Sequence, residues 1–247
     1  MPRFFVDPCA LSADTVTLVG EDHRHISLSL RMAVGDTVTL SDGEGREATC
    51  RLSRITPDLT EAEVIGRTEG KGELPVSVLL YQALPKGEKL ELIVQKAVEL
   101  GVCEILPFES SRCITRIRAE RSAKQTDRLC RVAREAAGQC GRSRLPRVSE
   151  PLSFAAALSD AAARADLLLL CYEGESEQSL RPVLEQAKKN GVSRIALLVG
   201  SEGGFSPEEA AAAVAAGAVS VTLGSRILRC ETAPIFALSC IGYAYEL

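Results

Sequence analysis

Short runs of alternating apolar and polar residues fill the first quarter of the chain. They occupy residues 15–19, 37–40, 48–55 and 61–65, and turn sequences rich in Gly, Asp and Pro separate them. Alternation with a period of two residues is typical of strands that bury one face. The spacing of these runs predicts a small antiparallel β-barrel.

Beyond residue 75 the alternation gives way to unbroken apolar runs separated by helical patterns. The runs are residues 76–84, 104–108, 166–171, 194–199 and 220–223. Continuous Leu, Val and Ile are typical of strands buried on both faces, and hence of a parallel sheet covered by helices. The segment 66–75 is rich in glycine and charged residues, which predicts a linker. We therefore predict a β domain at residues 1–71 and an α/β domain at 72–247.

One helix is clearly predicted over residues 88–100. Apolar and polar residues fall on opposite faces at helical spacing, and Gly101 stands where a C-terminal cap belongs. The apolar face consists of Leu90, Ile93, Val94, Ala97 and Leu100.

The charge of the chain is unevenly distributed. The 247 residues carry a formal net charge of −4, which would ordinarily argue against a nucleic-acid partner. Residues 112–147 nevertheless hold eleven basic and three acidic residues, a local charge of +8 that leaves −12 for the rest. Two interpretations of a helical stripe in this segment stay open, a solvated face or a track for phosphates. The stripe consists of Arg121, Lys124, Arg128 and Arg131.

The nine cysteines are scattered and never spaced as C-x-x-C, and the only histidines are His23 and His25. We therefore predict reduced thiols and no metal site. No apolar run is long enough for a membrane helix, and the first residues lack the apolar core of a signal peptide. These features lead us to expect a cytoplasmic protein.

Two glycine-containing loops follow buried strands in the last quarter of the chain. In the first loop, residues 199–209, three glycines allow the backbone to approach a ligand closely. Ser206 is predicted to cap the next helix, with Pro207 at its first position and Glu209 completing a capping box. The loop matches neither G-x-G-x-x-G nor a P-loop, which disfavours a nucleotide-dependent dehydrogenase or kinase.

The second loop, residues 223–234, contains a glycine, two arginines and a glutamate before a helix predicted over 235–245. Thr232 is predicted as its N-cap, with Pro234 in the first turn. The charged residues are compatible with a salt-bridged helix entry alone. Because both loops follow neighbouring buried strands, where open α/β sheets bind ligands, we also expect a ligand site there.

The order of motifs along the chain resembles the ribosomal RNA small subunit methyltransferase E (RsmE) family of the SPOUT class. The similar segments span nearly the whole chain. They are residues 2–6, 25–31, 86–89, 95–102, 139–146 and the two loops. Three positions depart from the family pattern. Ser201 replaces a proline, Cys230 a threonine, and Ser29 an apolar residue.

The resemblance implies an α/β fold class with two domains, an N-terminal PUA-like β-barrel and a C-terminal SPOUT domain tied in a deep trefoil knot. It also implies a homodimer and methyl transfer from S-adenosylmethionine to N3 of a uridine in 16S ribosomal RNA, within the small subunit. Two alternatives stay open. They are a SPOUT enzyme acting elsewhere, such as on a ribose 2′-hydroxyl, and a non-catalytic RNA-binding assembly factor.

The resemblance also assigns the cofactor to the two loops and the strands before them. The residues expected to bind it are Leu170, Tyr172, Leu198, Val199, Gly200, Ser201, Glu202, Gly203, Gly204, Leu223, Gly224, Ile227, Leu228, Arg229, Thr232 and Ala233.

Arg229 is our first catalytic candidate, because a fixed positive charge would stabilise a deprotonated uracil. Glu202 is the second, either as the base or as an anchor of its loop, whereas Glu231 is expected to pair with an arginine. RNA contacts are expected from the barrel and the basic segment, through Arg3, His25, Arg31, Arg112, Arg128, Arg131, Arg142 and Arg144.

Overall fold

The computed structural model describes residues 1–116, 119–174 and 178–247, and the side chains of residues 119–121 are not described. The chain forms two compact units. Unit 1 comprises Met1–Glu73 and Ala137–Leu145, and unit 2 comprises Leu74–Ala136 and Pro146–Leu247.

Unit 1 is built on a five-stranded sheet. Its strands are β1 (Arg3–Phe5), β2 (Thr15–Val19), β3 (Thr37–Ser41), β4 (Arg46–Ile55) and β5 (Leu59–Glu69). They lie in the order β1-β3-β4-β5-β2, and every pair is antiparallel except β1 with β3. A short helix α1 (Gly20–Arg24) continues into a π-helical turn at His25–Ser29.

The core of unit 1 confirms the alternating pattern. In β2 the residues alternate between exposed and buried, and Val16 and Leu18 point into the core with Leu40 and Leu52. The antiparallel strands were predicted, but β1 was not, because three residues are too few to show a period.

The linker prediction for residues 66–75 was wrong in its first part. Strand β5 continues to Glu69, because β4 is long enough to pair with it as far as Arg46. Beyond the strand, the Glu73 carboxylate accepts hydrogen bonds from the backbone N–H groups of Ser143 and Arg144. These bonds help to hold the segment Ala137–Leu145 in unit 1.

Unit 2 is a parallel α/β fold. Its strands are β6 (Ser77–Ala83), β7 (Glu104–Glu109), β8 (Arg147–Val148), β9 (Leu152–Ser153), β10 (Leu167–Cys171), β11 (Arg194–Val199) and β12 (Val219–Val221). Its helices are α2 (Lys89–Glu99), α3 (Ala119–Cys140), α4 (Phe154–Arg164), α5 (Leu180–Lys189), α6 (Pro207–Ala215) and α7 (Thr232–Glu246), although the last turn of α3 belongs to unit 1.

The sheet of unit 2 runs in the order β12-β10-β11-β6-β7-β8, with β9 also paired to β7, and all pairs are parallel. This confirms the parallel sheet predicted from the apolar runs. Because β12, β10 and β11 are parallel, the loops that follow them leave the same edge of the sheet, and because the strands are adjacent, these loops are neighbours.

Two helix predictions met different outcomes. Helix α2 has the predicted bounds to within one residue, its predicted apolar face is buried as far as Ala97, and Gly101 follows it with φ +88°.

The prediction of Thr232 as the N-cap of the last helix was wrong. Helix α7 already begins at Thr232, because the N–H groups of Thr232 and Ala233 both donate to the carbonyl of Arg229.

All nine cysteines lie in the described part of the chain, and none of them forms a disulfide bond there. Within the described residues, every helix is too short or too polar to cross a lipid bilayer.

Candidate functional site

A cavity of about 760 Å³ lies in unit 2 at the carboxyl ends of β10, β11 and β12. Its size falls within the range of roughly 300–1,000 Å³ that is usual for small-molecule sites. Most of its wall comes from the loops after these strands, and the rest from the start of α2 and α7. The lining residues are Lys89, Cys171, Tyr172, Glu173, Val199, Gly200, Ser201, Glu202, Gly204, Phe205, Val221, Thr222, Leu223, Gly224, Ser225, Arg226, Ile227, Leu228, Arg229, Cys230 and Ala233.

The first loop makes a tight turn immediately after β11. The Gly204 N–H donates to the Ser201 carbonyl at 2.9 Å, and Gly204 has φ +62°, a conformation that favours glycine. A Cβ on Gly200 would lie 2.9 Å from the Gly204 Cα. The turn therefore depends on both glycines, and its backbone is exposed to the cavity at side-chain-free positions.

Neighbouring elements fix both ends of the first loop. The Gln82 side chain of β6 donates to the Gly200 carbonyl at 3.2 Å. At the other end, Ser206 and Glu209 form the predicted capping box of α6, with Pro207 in its first turn. The second carboxylate oxygen of Glu209 also accepts from the Ser111 N–H at 2.7 Å. The helix start and the loop are thus tied to the sheet.

The second loop turns at Gly224, which has φ +110° and whose N–H and carbonyl both bond to the Thr222 hydroxyl. Arg226 and Arg229 line the cavity and are exposed. Neither guanidinium forms an ion pair with any described residue. The loop therefore presents to the cavity two positive charges that no carboxylate among the described residues pairs with.

Between the two loops lies a cluster of charges. The Lys89 ammonium contacts the Glu202 carboxylate at 2.9 Å and the Glu231 carboxylate at 3.3 Å. The Lys86 N–H donates to Glu202 as well, at 3.1 Å. Burial alone would raise the pKa of Glu202, but these hydrogen bonds outweigh it and lower the pKa to about 2. Glu202 is therefore a carboxylate at neutral pH and a weak proton acceptor.

Cys230 belongs to the same cluster. Its thiol donates to the Glu231 carboxylate at 3.2 Å and lies 3.9 Å from the Lys89 ammonium. Burial, together with the acidic neighbours, raises the pKa of Cys230 to about 12. The thiol is consequently neutral and acts here as a hydrogen-bond donor, which is the role a threonine hydroxyl would fill.

The structure brings most of the predicted cofactor residues together around the cavity. Twelve of the sixteen line it, whereas Leu170, Leu198, Gly203 and Thr232 do not. Leu170 and Leu198 are fully buried in the sheet, and the Arg112 guanidinium donates to the Gly203 carbonyl at 3.0 Å.

Sequence reasoning missed several residues of the cavity wall. The polar residues among them are Lys89, Cys171, Glu173, Thr222, Ser225, Arg226 and Cys230. Lys89 is distant in sequence from both loops, and the only signal for it was its place in the motif at residues 86–89, to which no role was given.

Two of the residues predicted to contact RNA are engaged within unit 1. The Arg142 side chain is only 3% exposed and contacts the Glu73 carboxylate at 2.6 Å. The Arg3 guanidinium pairs with Glu47, and both side chains are largely buried. Phosphate contact by either arginine would require breaking an internal ion pair, so the structure does not support these two assignments.

The other predicted RNA contacts that the structure describes are exposed, and some of them form ion pairs within the protein. His25, Arg31 and Arg144 are exposed in unit 1. In unit 2, Arg128 pairs with Glu91 at 2.9 Å, whereas Arg131 is exposed without an ion pair to a described residue. Arg118 and the side chain of Arg121 lie outside the described residues.

Comparison with protein-family models assigns both parts of the chain. Residues 72–242 match an RNA methyltransferase domain, and residues 18–65 match an RNA methyltransferase PUA domain. Ribosomal RNA small subunit methyltransferase E of Bacillus subtilis is 34% identical over 100% of this chain and 98% of its own length. The protein of the same name from Mycobacterium bovis is 33% identical over 97% and 90%.

Solved structures give the same result. Ribosomal RNA small subunit methyltransferase E from Neisseria gonorrhoeae, bound to S-adenosyl methionine, superposes with a TM-score of 0.84 at 32% identity, covering 99% and 98% of the two chains. A putative methyltransferase from Legionella pneumophila in complex with the cofactor SAM gives 0.85 at 31% identity, covering 98% and 97%. With both domains matched and full-length relatives above 30% identity, the chain belongs to the ribosomal RNA small subunit methyltransferase E family.

Proposed function

We propose that the protein transfers the methyl group of S-adenosylmethionine to N3 of a uridine in the 16S RNA of the small ribosomal subunit. The observation that carries this proposal is the coincidence of family and site. A cavity of cofactor size lies at the two glycine loops of the matched methyltransferase domain. Relatives from two organisms hold S-adenosylmethionine in structures that superpose on nearly the whole chain.

The residues at the cavity fit this cofactor. Gly200 and Gly204 line the cavity without side chains, so a ligand can approach the backbone of the first loop there. The buried Ser201 hydroxyl lines the cavity and lacks a hydrogen-bond partner among the described residues, which leaves it available to a polar ligand group. When bound, the cofactor supplies an electrophilic methyl group on a sulfonium.

The chain's own residues have two tasks in such a reaction. They must hold the acceptor in line with the methyl group in a site that excludes water, and they must stabilise the charge on a uracil that has lost its N3 proton. Arg229, exposed at the cavity without a described acidic partner, is suited to the second task. An arginine also offers a planar set of N–H donors that could hold an anionic uracil in place.

Glu202 is better suited to anchor its loop than to accept the N3 proton. Its carboxylate is already occupied by the Lys89 ammonium and the Lys86 N–H. A group with a pKa of about 2 is also a poor base at neutral pH. Of the two roles left open by the sequence, the contacts therefore favour the anchor.

RNA recognition is proposed for predicted contact residues that are exposed and form no ion pair with a described residue. In unit 1, Arg31 and Arg144 are of this kind, and His25 lies beside Phe4 at a ring distance of 5.8 Å. In unit 2, Lys124 and Arg131 lie exposed on α3. Contacts of this kind go mainly to phosphates and give affinity and orientation. The trefoil knot, the homodimer and the cytoplasmic location stay predictions from the sequence.

Calorimetry with S-adenosylmethionine tests the cofactor assignment directly. We expect saturable binding with one site per chain, and a higher melting temperature when the cofactor is present. A purified protein that folds but neither binds nor is stabilised would contradict the proposed enzyme and favour a non-catalytic RNA-binding role.

Replacing Arg229 by Ala tests its catalytic role. Because the lost charge acts on the anionic acceptor, we expect turnover to fall by about 100-fold or more while the cofactor still binds. The matched control is Arg181→Ala, which removes an exposed arginine of α5 that is paired with Glu185. Turnover of Arg229→Ala equal to that of this control would rule out the role.

A further inference from the structure

One ammonium group lies between two carboxylates that come from different loops. Lys89 stands at the first position of α2, Glu202 belongs to the first loop and Glu231 ends the second. We infer that Lys89 is a positioning residue that ties the two glycine loops together and so sets the width of the cavity between them. The consequence for cofactor binding rests on the proposed function, whereas the tie itself does not.

The geometry leaves this task to Lys89. Both carboxylates lie within 3.3 Å of the same nitrogen, and among the described residues no other cation pairs with either of them. Without the ammonium, two carboxylates that now share one cation would be left close together. Repulsion between like charges favours an opening of the loops.

The ion cluster is more than an isolated surface pair. The side chains are only partly exposed, 36% for Lys89, 30% for Glu202 and 17% for Glu231. Further hydrogen bonds hold both acids in place, from the Lys86 N–H to Glu202 and from the Cys230 thiol to Glu231. Networks of this kind retain more of their strength than single exposed pairs, because each group is already ordered by another.

Other contacts hold each loop away from Lys89. The first loop is held by Gln82 at the Gly200 carbonyl and by Arg112 at the Gly203 carbonyl, and the second follows Thr222, whose backbone bonds to Gln178 and Leu180. Lys89 contacts both loops from the start of helix α2, whose apolar face is buried in unit 2. Helix α2 is therefore the element to which Lys89 fixes both loops.

Hydrogen exchange of the free protein tests the tie without any ligand. Lys89→Met removes the charge and keeps the aliphatic stem, and the matched control Lys96→Met removes another paired lysine of α2, bonded to Glu99 and remote from the cavity. We expect faster exchange of amides in both loops for Lys89→Met and wild-type exchange for Lys96→Met. Wild-type protection of both loops in Lys89→Met would overturn the inference.

Two further variants make the result independent of one substitution. Lys89→Arg keeps a cation at the site, and we expect it to restore at least part of the protection. Glu231→Gln removes the tie from the other end, and we expect faster exchange of the second loop. Loops that remain protected in Glu231→Gln would count against the tie, as would an Arg variant no better than Met.

Cofactor affinity then separates this inference from the proposed function. We expect the dissociation constant for S-adenosylmethionine to rise about tenfold in Lys89→Met, with turnover at saturation changed much less. Adding Glu202→Gln to Lys89→Met should raise the dissociation constant little further, because both substitutions break the same contact. If the wild-type protein binds no cofactor, the proposed function fails, and the exchange experiment still decides whether Lys89 ties the loops.

Discussion

Gly200 and Gly204 approach each other so closely that the first loop has no room for a side chain at the turn. A Cβ at Gly200 would lie 2.9 Å from the Gly204 Cα and 3.0 Å from its carbonyl carbon. Backbone atoms cannot move aside as a flexible side chain can. The shape of the cavity wall at this turn therefore depends on glycine at positions 200 and 204.

Gly200→Ala should open this turn. We expect weaker cofactor binding and a loss of stability of at least about 1 kcal/mol, because the new methyl group must displace backbone. Gly66→Ala is the matched control, since its Cβ would meet nothing within 4 Å and Gly66 needs no positive φ. Chemical denaturation and calorimetry measure both effects, and equal behaviour of the two variants would contradict the close approach.

Glu202 should make stability depend on pH in the acid range. Its pKa in the folded protein is about 2, against 4.5 for the unperturbed group. The unfolded chain therefore binds more protons between these values, so the stabilisation is present above pH 4.5 and is lost as the pH falls toward 2. We expect Glu202→Gln to flatten this part of the stability curve in denaturation at several pH values. An unchanged acid limb would contradict the contacts with Lys89 and Lys86.

At the scale of elements, features encoded by neighbouring residues could be predicted from the sequence. The apolar stripe of helix α2 is visible within eleven residues, and Ser206, Pro207 and Glu209 together predict the cap of α6. Both features depend on residues three or four positions apart and need no contact with a distant part of the chain.

Features that depend on distant partners could not be predicted in the same way. Strand β1 exists because β3 pairs with it, and β5 runs through the glycine-rich segment to Glu69 because β4 continues beside it. Similarly, the sequence placed Arg142 among RNA contacts, whereas its partner Glu73 lies far back along the chain. Charge alone does not reveal which arginines are already neutralised.

Helix α3 illustrates the same difference between charge and availability. Arg128 is paired with Glu91, whereas Lys124 and Arg131 are exposed and form no ion pair with a described residue. A phosphate would compete with a carboxylate for Arg128 but not for the other two. The unpaired residues should therefore account for most of the electrostatic affinity of this stripe.

Replacing both Lys124 and Arg131 by Gln should weaken RNA binding and flatten its salt dependence. We expect the slope of log affinity against log salt to fall by about 1 for each lost phosphate contact. The charge-matched control is the double replacement of Arg181 and Lys189 by Gln on α5, where both side chains are exposed. Equal slopes for the two double variants would remove α3 from the RNA-binding surface.

At the scale of the whole molecule, each unit carries a different part of the proposed task. Unit 2 holds the cavity, built where three adjacent parallel strands end, with Lys89 of α2 in its wall. Unit 1 matches a PUA domain of RNA methyltransferases. The mildly acidic total charge conceals a basic segment at residues 112–147, most of which lies in unit 2, and an acidic remainder.

Methyl transfer to small ribosomal subunits is the most direct test of the proposed function. Subunits from a strain that lacks the modification would be incubated with the protein and methyl-labelled S-adenosylmethionine, and the labelled nucleoside would be identified and mapped. We predict a single labelled 3-methyluridine in 16S RNA, and labelling slowed by about 100-fold or more with Arg229→Ala. Label on a ribose 2′-oxygen or another base, or subunits that remain unlabelled, would contradict the assignment.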